Sequence, residues 1–356
     1  MKRWHFWFGV LISLAFIGLA LSQIRDWSKF GEAFSRAYHW YLFPVIASYF
    51  LVIFLRALRW RYILNQTGRV SVKNATAAML ICYMGNNVFP LRAGEFMRIF
   101  LVGKKEDSVS YSESMATVVV ERLFDFLVML IFLAVVLMYI SFPEEYARLE
   151  GLVHNFGSGT LAGAALILVF LLVLYLRTET VMSILEWALS FLPDAIKEKI
   201  LAAVRRFAAG LVIMGRPGAL LVVLLAGVFI WSVNMLPIWF TGLAFGLDIG
   251  VVGCLFLLVV GAAAASIPAA PGFIGVFHSF NQLGLVYIMI AAYGVTVSSE
   301  KALAFAVVLH ACYYFPLIAA GALAAWREGY SLTKLRQEAK ESEEKTEPQG
   351  VPSSEE

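Results

Sequence analysis

Six ionisable residues crowd into two otherwise apolar stretches: Arg92, Glu95 and Arg98 in NNVFPLRAGEFMR, and Glu121, Arg122 and Asp125 in TVVVERLFDFLVML. The first three recur at i, i+3 and i+6. In the second stretch Glu121 and Asp125 are four apart and Arg122 precedes Asp125 by three, so on helices each charge reaches the next. A charge at the centre of a membrane helix costs about 2.5–3.5 kcal/mol on insertion scales, so these groups must pair or face a wet cavity. Two chemistries fit. Bridges from Arg122 to Glu95 and from Arg92 to Glu121 would clamp helices together. Alternatively, the pairs hold arginines where a lipid phosphate competes for them, because guanidinium bonds phosphate in a bidentate fork. A half-helix starting after Pro90 would add unpaired N–H groups aimed at an anion.

Other polar groups sit beside them. Asn86 and Asn87 precede the break at Pro90 and Gly94, where their amides would serve backbone carbonyls freed by the proline or a polar headgroup. His278 follows a second break, Pro268 to Gly275, containing Pro271 and Gly272, and His310 lies shortly before Tyr313, Tyr314 and Pro316. Each histidine, read alone, is a hydrogen-bonded packing residue, with proton coupling or substrate contact as the alternative. Neither histidine falls in a metal-binding spacing, and no metal or cofactor is expected.

The elements that position these residues follow from composition. Apolar residues make up 60% of the 356 and charged ones 15%, against about 25% charged in soluble domains. This composition implies an all-α, polytopic membrane bundle of six to eight spans, over residues 1–329, with a polar, disordered tail at 330–356. Crossings are expected at 4–22, 40–64, 115–140, 160–176, 219–245 and 301–326. The first is kept as a span because it exceeds the usual length of a cleaved apolar region. Residues 74–90 and 91–102 read as a re-entrant hairpin, since the second part is too short and too charged to cross. Residues 251–292, interrupted at SIPAAPG, are either two full helices or two half-helices. Segments 25–39 and 192–214 are amphipathic, lying in the headgroup plane or packed on the bundle as linkers. Cys82, Cys254 and Cys312 all fall in apolar runs without a paired spacing and are assigned to packing.

Basic residues of short loops set the orientation. Arg59, Arg61, Arg69 and Lys73 place one loop in the cytoplasm, six basic residues in 177–216 place another there, and Glu144, Glu145 and Glu150 place 143–155 outside. Both termini are then cytoplasmic, and the agreement requires residues 74–102 to enter and leave on one side. Pro90-to-Gly94 and Pro268-to-Gly272 share a P-x-x-x-G frame. If they are inverted repeats, a site lies between two discontinuous elements at mid-membrane.

Absent motifs narrow the function. There is no Walker A loop, dinucleotide fingerprint or nucleophile elbow. An enzyme would have to use Glu95, Glu121, Asp125 or a histidine inside the membrane. The expected partner is a membrane lipid with an anionic or phosphate headgroup rather than nucleic acid, with a homo-oligomer or a separate transferase subunit as further associations.

The runs NNVFPLRAGEFMRIFLV, TVVVERLFDFLVML, SIPAAPGFIGVFHSF and HACYYFPLIAAG resemble the transmembrane region of the lysylphosphatidylglycerol synthase/flippase family, over about residues 4–326. The resemblance assigns Pro90, Arg92, Gly94, Glu95, Glu121, Arg122 and Asp125 to its first motif and Pro268, Pro271, Gly272 and Gly275 to its second. His278 departs from it, at a place where an acidic residue is expected. The resemblance implies a lipid flippase or lipid transporter of the cytoplasmic membrane. A membrane-embedded, phosphatidylglycerol lysyltransferase-like enzyme, its partner subunit or a non-catalytic scaffold are the alternatives. Family members that aminoacylate lipids have a further transmembrane portion and a soluble transferase domain, so aminoacylation by this chain alone is not expected.

Overall fold

The computed structural model describes residues 3–89, 92–106, 108–139, 165–166, 169–267 and 269–330. Pro90, Pro268, the acidic segment 143–155 and the tail beyond Tyr330 lie outside the described residues, as do parts of the expected 160–176 span. Among the described residues the chain is all-helical, with thirteen α-helices: α1 (Arg3–Ser22), α2 (Trp27–Ser35), α3 (Leu42–Leu64), α4 (Val72–Val88), α5 (Ala93–Lys105), α6 (Tyr111–Tyr139), α7 (Thr178–Ala188), α8 (Asp194–Gly210), α9 (Pro217–Val233), α10 (Leu236–Ala244), α11 (Gly250–Ala264), α12 (Val276–Tyr293) and α13 (Ser299–Arg327).

Caps mark the starts that apolar composition alone leaves vague. Ser71 Oγ accepts from the Asn74 amide at 3.1 Å and starts α4, and Ser298 Oγ accepts from the Lys301 amide at 3.2 Å and starts α13. Both satisfy a donor that has no partner within the helix. Four described helical stretches are long and apolar enough to cross a membrane, or five if α1 and α2, bent by 92°, are taken together. α6 has 29 residues, about 43 Å of helix, and carries the buried acids. The expected 219–245 span is matched by Pro217–Ala244, which carries a turn at Asn234–Met235 where Pro237 opens α10. Segment 251–292 is asymmetric: α11 has 15 residues, too few to cross, whereas α12 with its preceding turn has 23.

Both amphipathic segments pack on the bundle. Phe30 and Phe34 of α2 lie against the core formed by α10, α11, α12 and α13, and Val204 and Phe207 of α8 lie against α6 and α9. The three cysteines are free and buried, as packing residues should be.

α4 and α5 form the expected hairpin. Its open end is tied by Glu106, whose Oε1 accepts from the Ser71 amide at 3.2 Å and from Asn74 Nδ2 at 2.8 Å, so the chain enters and leaves on the same side. Close approach needs glycine. A Cβ on Gly94 would stand 1.8 Å from the Cys82 carbonyl oxygen, and one on Gly321 of α13 would stand 2.6 Å from the Leu80 carbonyl oxygen. Small residues on α5 and α13 thus let α4 sit between them. Gly94→Ala is expected to lower stability by about 1–3 kcal/mol or more, because overpacking here meets backbone. Gly18→Ala, with open space around it, should change little. Thermal denaturation in detergent compares them, and equal midpoints would show that the hairpin tolerates separation.

Candidate functional site

The charged groups come from three helices. On α3, Arg56 Nη1 lies 3.1 Å from Asp125 Oδ2, and Arg59 reaches Asp125 Oδ1 at 2.7 Å and Glu121 Oε1 at 2.9 Å. On α5, Arg98 stands 2.7 Å from both Glu95 Oε2 and Glu121 Oε2. On α6, Arg122 donates to Glu95 Oε1 at 2.8 Å and contacts Asp125 Oδ2 at 3.4 Å. Arg98 and Glu121 have no exposed surface. Indole rings complete the cluster: Trp231 Nε1 donates to Asp125 Oδ1 at 2.9 Å, and the Arg56 and Arg98 guanidinium groups lie 4.4 and 4.7 Å from the Trp231 and Trp60 rings. Four arginines meet three carboxylates, leaving one net positive charge.

The expected Arg122–Glu95 bridge is therefore present, but the Arg92–Glu121 bridge is not. Glu121 is taken by Arg59 and Arg98, whereas Arg92 turns across the cavity and donates to the Ala265 carbonyl at 2.7 Å. Arg92 has no carboxylate partner among the described residues. Arg59, counted in a cytoplasmic loop from sequence although the expected 40–64 crossing contains it, lies buried within α3, which ends at Leu64 as expected. Arg56 and Arg59 are the functional candidates that the sequence reading missed. Their i, i+3 spacing on the same expected span as an apolar run is the signal that marks them.

Among the described residues Asn86 and Asn87 do not bond carbonyls freed at the break: there Asn86 Nδ2 reaches only the Cys82 sulfur, at 3.8 Å, and neither amide atom of the fully buried Asn87 has a partner.

The two breaks meet. Arg92, the residue capping α5, has φ 53° and Phe273, in the 3-10 turn opened by Pro271, has φ 57°. These are the two non-glycine residues with positive φ among the described residues, and the Arg92 guanidinium lies 5.7 Å from the Phe273 ring. Such strain persists only where surrounding contacts over-determine it, and it gathers at functional sites. Gly272 and Gly275 supply the remaining left-handed turns, at φ 73° and 90°.

Between the breaks lies a cavity of about 210 Å³. Arg56, Arg92, Glu95 and Arg122 line it, with Asn86 and His310. Arg98, Glu121 and Asp125 sit behind this wall, and Asn87 is buried beside it. His278 does not line the cavity, yet it is no lone residue: its Nε2 is 3.2 Å from Nδ1 of His310. The reading of two separate packing histidines is thus replaced by a bonded pair joining α12 to α13. Among the described residues no group of histidine, cysteine and acid side chains is placed to hold a metal.

Arg98→Met and Glu121→Gln are each expected to destabilise the protein by about 3–5 kcal/mol, since each leaves a buried charge without one of its partners. The double variant should lose much less than the sum, because the sites are in contact. Unfolding measured by thermal melts of all four proteins checks this, and strictly additive losses would mean the pair is uncoupled.

Residues 6–321 match the family model described as "Lysylphosphatidylglycerol synthase TM region". The chain is 27% identical over 310 residues to the protein named "Glycosyltransferase AglD" of Haloferax volcanii, covering 81% of this chain and 49% of that protein. It is 25% identical over 323 residues to "UPF0104 membrane protein PH1989" of Pyrococcus horikoshii, covering 83% of this chain and 90% of that one. The chain therefore spans about half the length of the glycosyltransferase and most of the membrane protein. No solved structure matches it. With apolar helices of spanning length and a family match over most of its residues, this chain is an integral membrane protein belonging to the family of the lysylphosphatidylglycerol synthase transmembrane region.

Proposed function

We propose that this protein moves a phospholipid or lipid-linked phosphate headgroup across the cytoplasmic membrane, with both termini in the cytoplasm. The observation that carries the reading is the charge on the cavity wall. Three arginines and one glutamate line it, and Arg92 is held there by a neutral carbonyl and an aromatic ring rather than by an acid. A guanidinium so placed can exchange its carbonyl for a phosphate oxygen without leaving a carboxylate bare. Arg56 and Arg122 already have acid partners, which fix them and keep their charge at the wall. The cavity is small against a whole lipid, which suits a path in which the headgroup is held between the breaks while the acyl chains stay in the bilayer.

A second reading has one specific observation in its favour. A match to about half of a protein named as a glycosyltransferase suits a membrane half that presents a lipid-linked substrate to a transferase on another chain or in a partner subunit. In that case the cavity binds the same kind of headgroup but does not carry it across.

Transbilayer movement of fluorescent phosphatidylglycerol, phosphatidylcholine and lysyl-phosphatidylglycerol in liposomes containing the purified protein tests the proposal. Movement of at least one phosphate-bearing lipid is expected. Arg92→Gln should slow it by about ten- to a hundredfold, the worth of one charge-assisted hydrogen bond, while the thermal midpoint stays near that of wild type. No movement by a well-folded wild-type protein would overturn transport. Equal rates in Arg92→Gln would remove that arginine from the path.

A further inference from the structure

The His278–His310 pair forms part of a chain of hydrogen bonds that ends at the second helix break. His278 Nδ1 accepts from the Gly275 amide at 3.2 Å, satisfying one of the free N–H groups at the start of α12. A neutral His278 must then carry its proton on Nε2, which donates to His310 Nδ1 at 3.2 Å. The tautomer of His310 follows in turn: with Nδ1 accepting from His278, its proton sits on Nε2. The His278 ring is thus fixed by the break itself, at Gly275, whose φ of 90° makes one of its turns, and His310 is fixed through His278.

This chain holds together only when both rings are neutral. An imidazolium donates from both nitrogens and accepts at neither. A proton added to His278 removes the acceptor of the Gly275 N–H, and one added to His310 removes the acceptor of His278. His310 lines the cavity, so a proton has a route to the pair through it. We propose that the His278–His310 pair is a proton-binding site whose occupancy releases the second helix break and, through Phe273 and Ala265, the hold on Arg92. The inference rests on the transport reading for what the proton drives, although proton binding itself does not require transport.

The surroundings supply charge that the proton must meet. Arg56 on α3, Arg92 and Glu95 on α5 and Arg122 on α6 share the cavity with His310. The other titratable groups around the pair are Tyr49 on α3, Cys82 and Tyr83 on α4, and Cys312, Tyr313 and Tyr314 on α13. α1 meets α12 through Ser13, Phe16 and Ile17, α10 offers α13 no titratable side chain, and Cys254 is the titratable residue of α11. Glu300, which accepts from the Arg25 amide in the turn before α2, lies about 15 Å along α13 from His310. The cavity charge is net positive, so an anion bound among the arginines and a proton on the pair favour each other reciprocally.

Protein with 15N-labelled histidine in phosphatidylcholine liposomes allows a direct test, with His278→Asn and His310→Gln providing the assignments. Nitrogen spectra at high pH should show protons on Nε2 of both rings. On acidification the two should change together in one step, with hydrogen exchange across residues 269–277, corrected for intrinsic rates, rising about tenfold, as for loss of one hydrogen bond. His278→Asn keeps an acceptor for Gly275 and cannot titrate, so the exchange step should vanish while the fold remains. Independent titration of the two rings without any change at the break would overturn the proposal, as would an unchanged step in His278→Asn. Because neither readout involves lipid movement, a protein that fails to transport can still pass or fail this test.

Discussion

A charge held at membrane depth must find an opposite charge, and the arrangement of this protein follows from that requirement. Glu121, fully buried on α6, is met from one side by Arg59 of α3 and from the other by Arg98 of α5. Asp125, one turn along, collects Arg56, Arg59, Arg122 and the Trp231 indole. No one of these helices satisfies its own charges. Docking α3, α5 and α6 against one another is the condition for burying any of them, so the network fixes which helices are neighbours. Removing a single partner leaves the rest exposed to the desolvation that the cluster relieves.

The network also determines what is left over. With the acids engaged by arginines behind the cavity, Arg92 has no carboxylate to bond and reaches instead to a backbone carbonyl at the opposite break. The two hairpin tips are thereby joined through a contact weaker than a salt bridge. Left-handed backbone at Arg92 and Phe273 adds local strain on both sides of this contact. An element that is strained and lightly held is one that a ligand can rearrange with little differential binding energy.

Family membership and geometry speak to different levels. The match over residues 6–321 identifies the membrane region as a unit, and the relatives' coverage shows this unit both nearly alone, in the archaeal membrane protein, and as about half of a larger glycosyltransferase. Under either proposed reading the cavity arginines would take the same first step, since carrying a headgroup and presenting one both begin with binding it.

Much was legible without coordinates. Long apolar runs have one solution in a bilayer, so the helical class and most segment positions follow from composition and length alone. The Arg122–Glu95 bridge follows from charge complementarity between two stretches that each need a partner, and the hairpin from a run too short and charged to cross. Sequence did not reveal which arginine meets which acid. Arg59 was counted with the loop although it falls inside the expected 40–64 crossing, because its acid partners on another helix cannot be read along the chain, and Arg92 was paired with an acid that two other arginines occupy. His278 and His310, 32 residues apart, carry no spacing that brings them together, and only the packing of α12 on α13 makes them a pair. Burial and local periodicity act along the chain and can be read there. Partner choice among several like charges depends on distances across the bundle, which the tertiary structure alone decides.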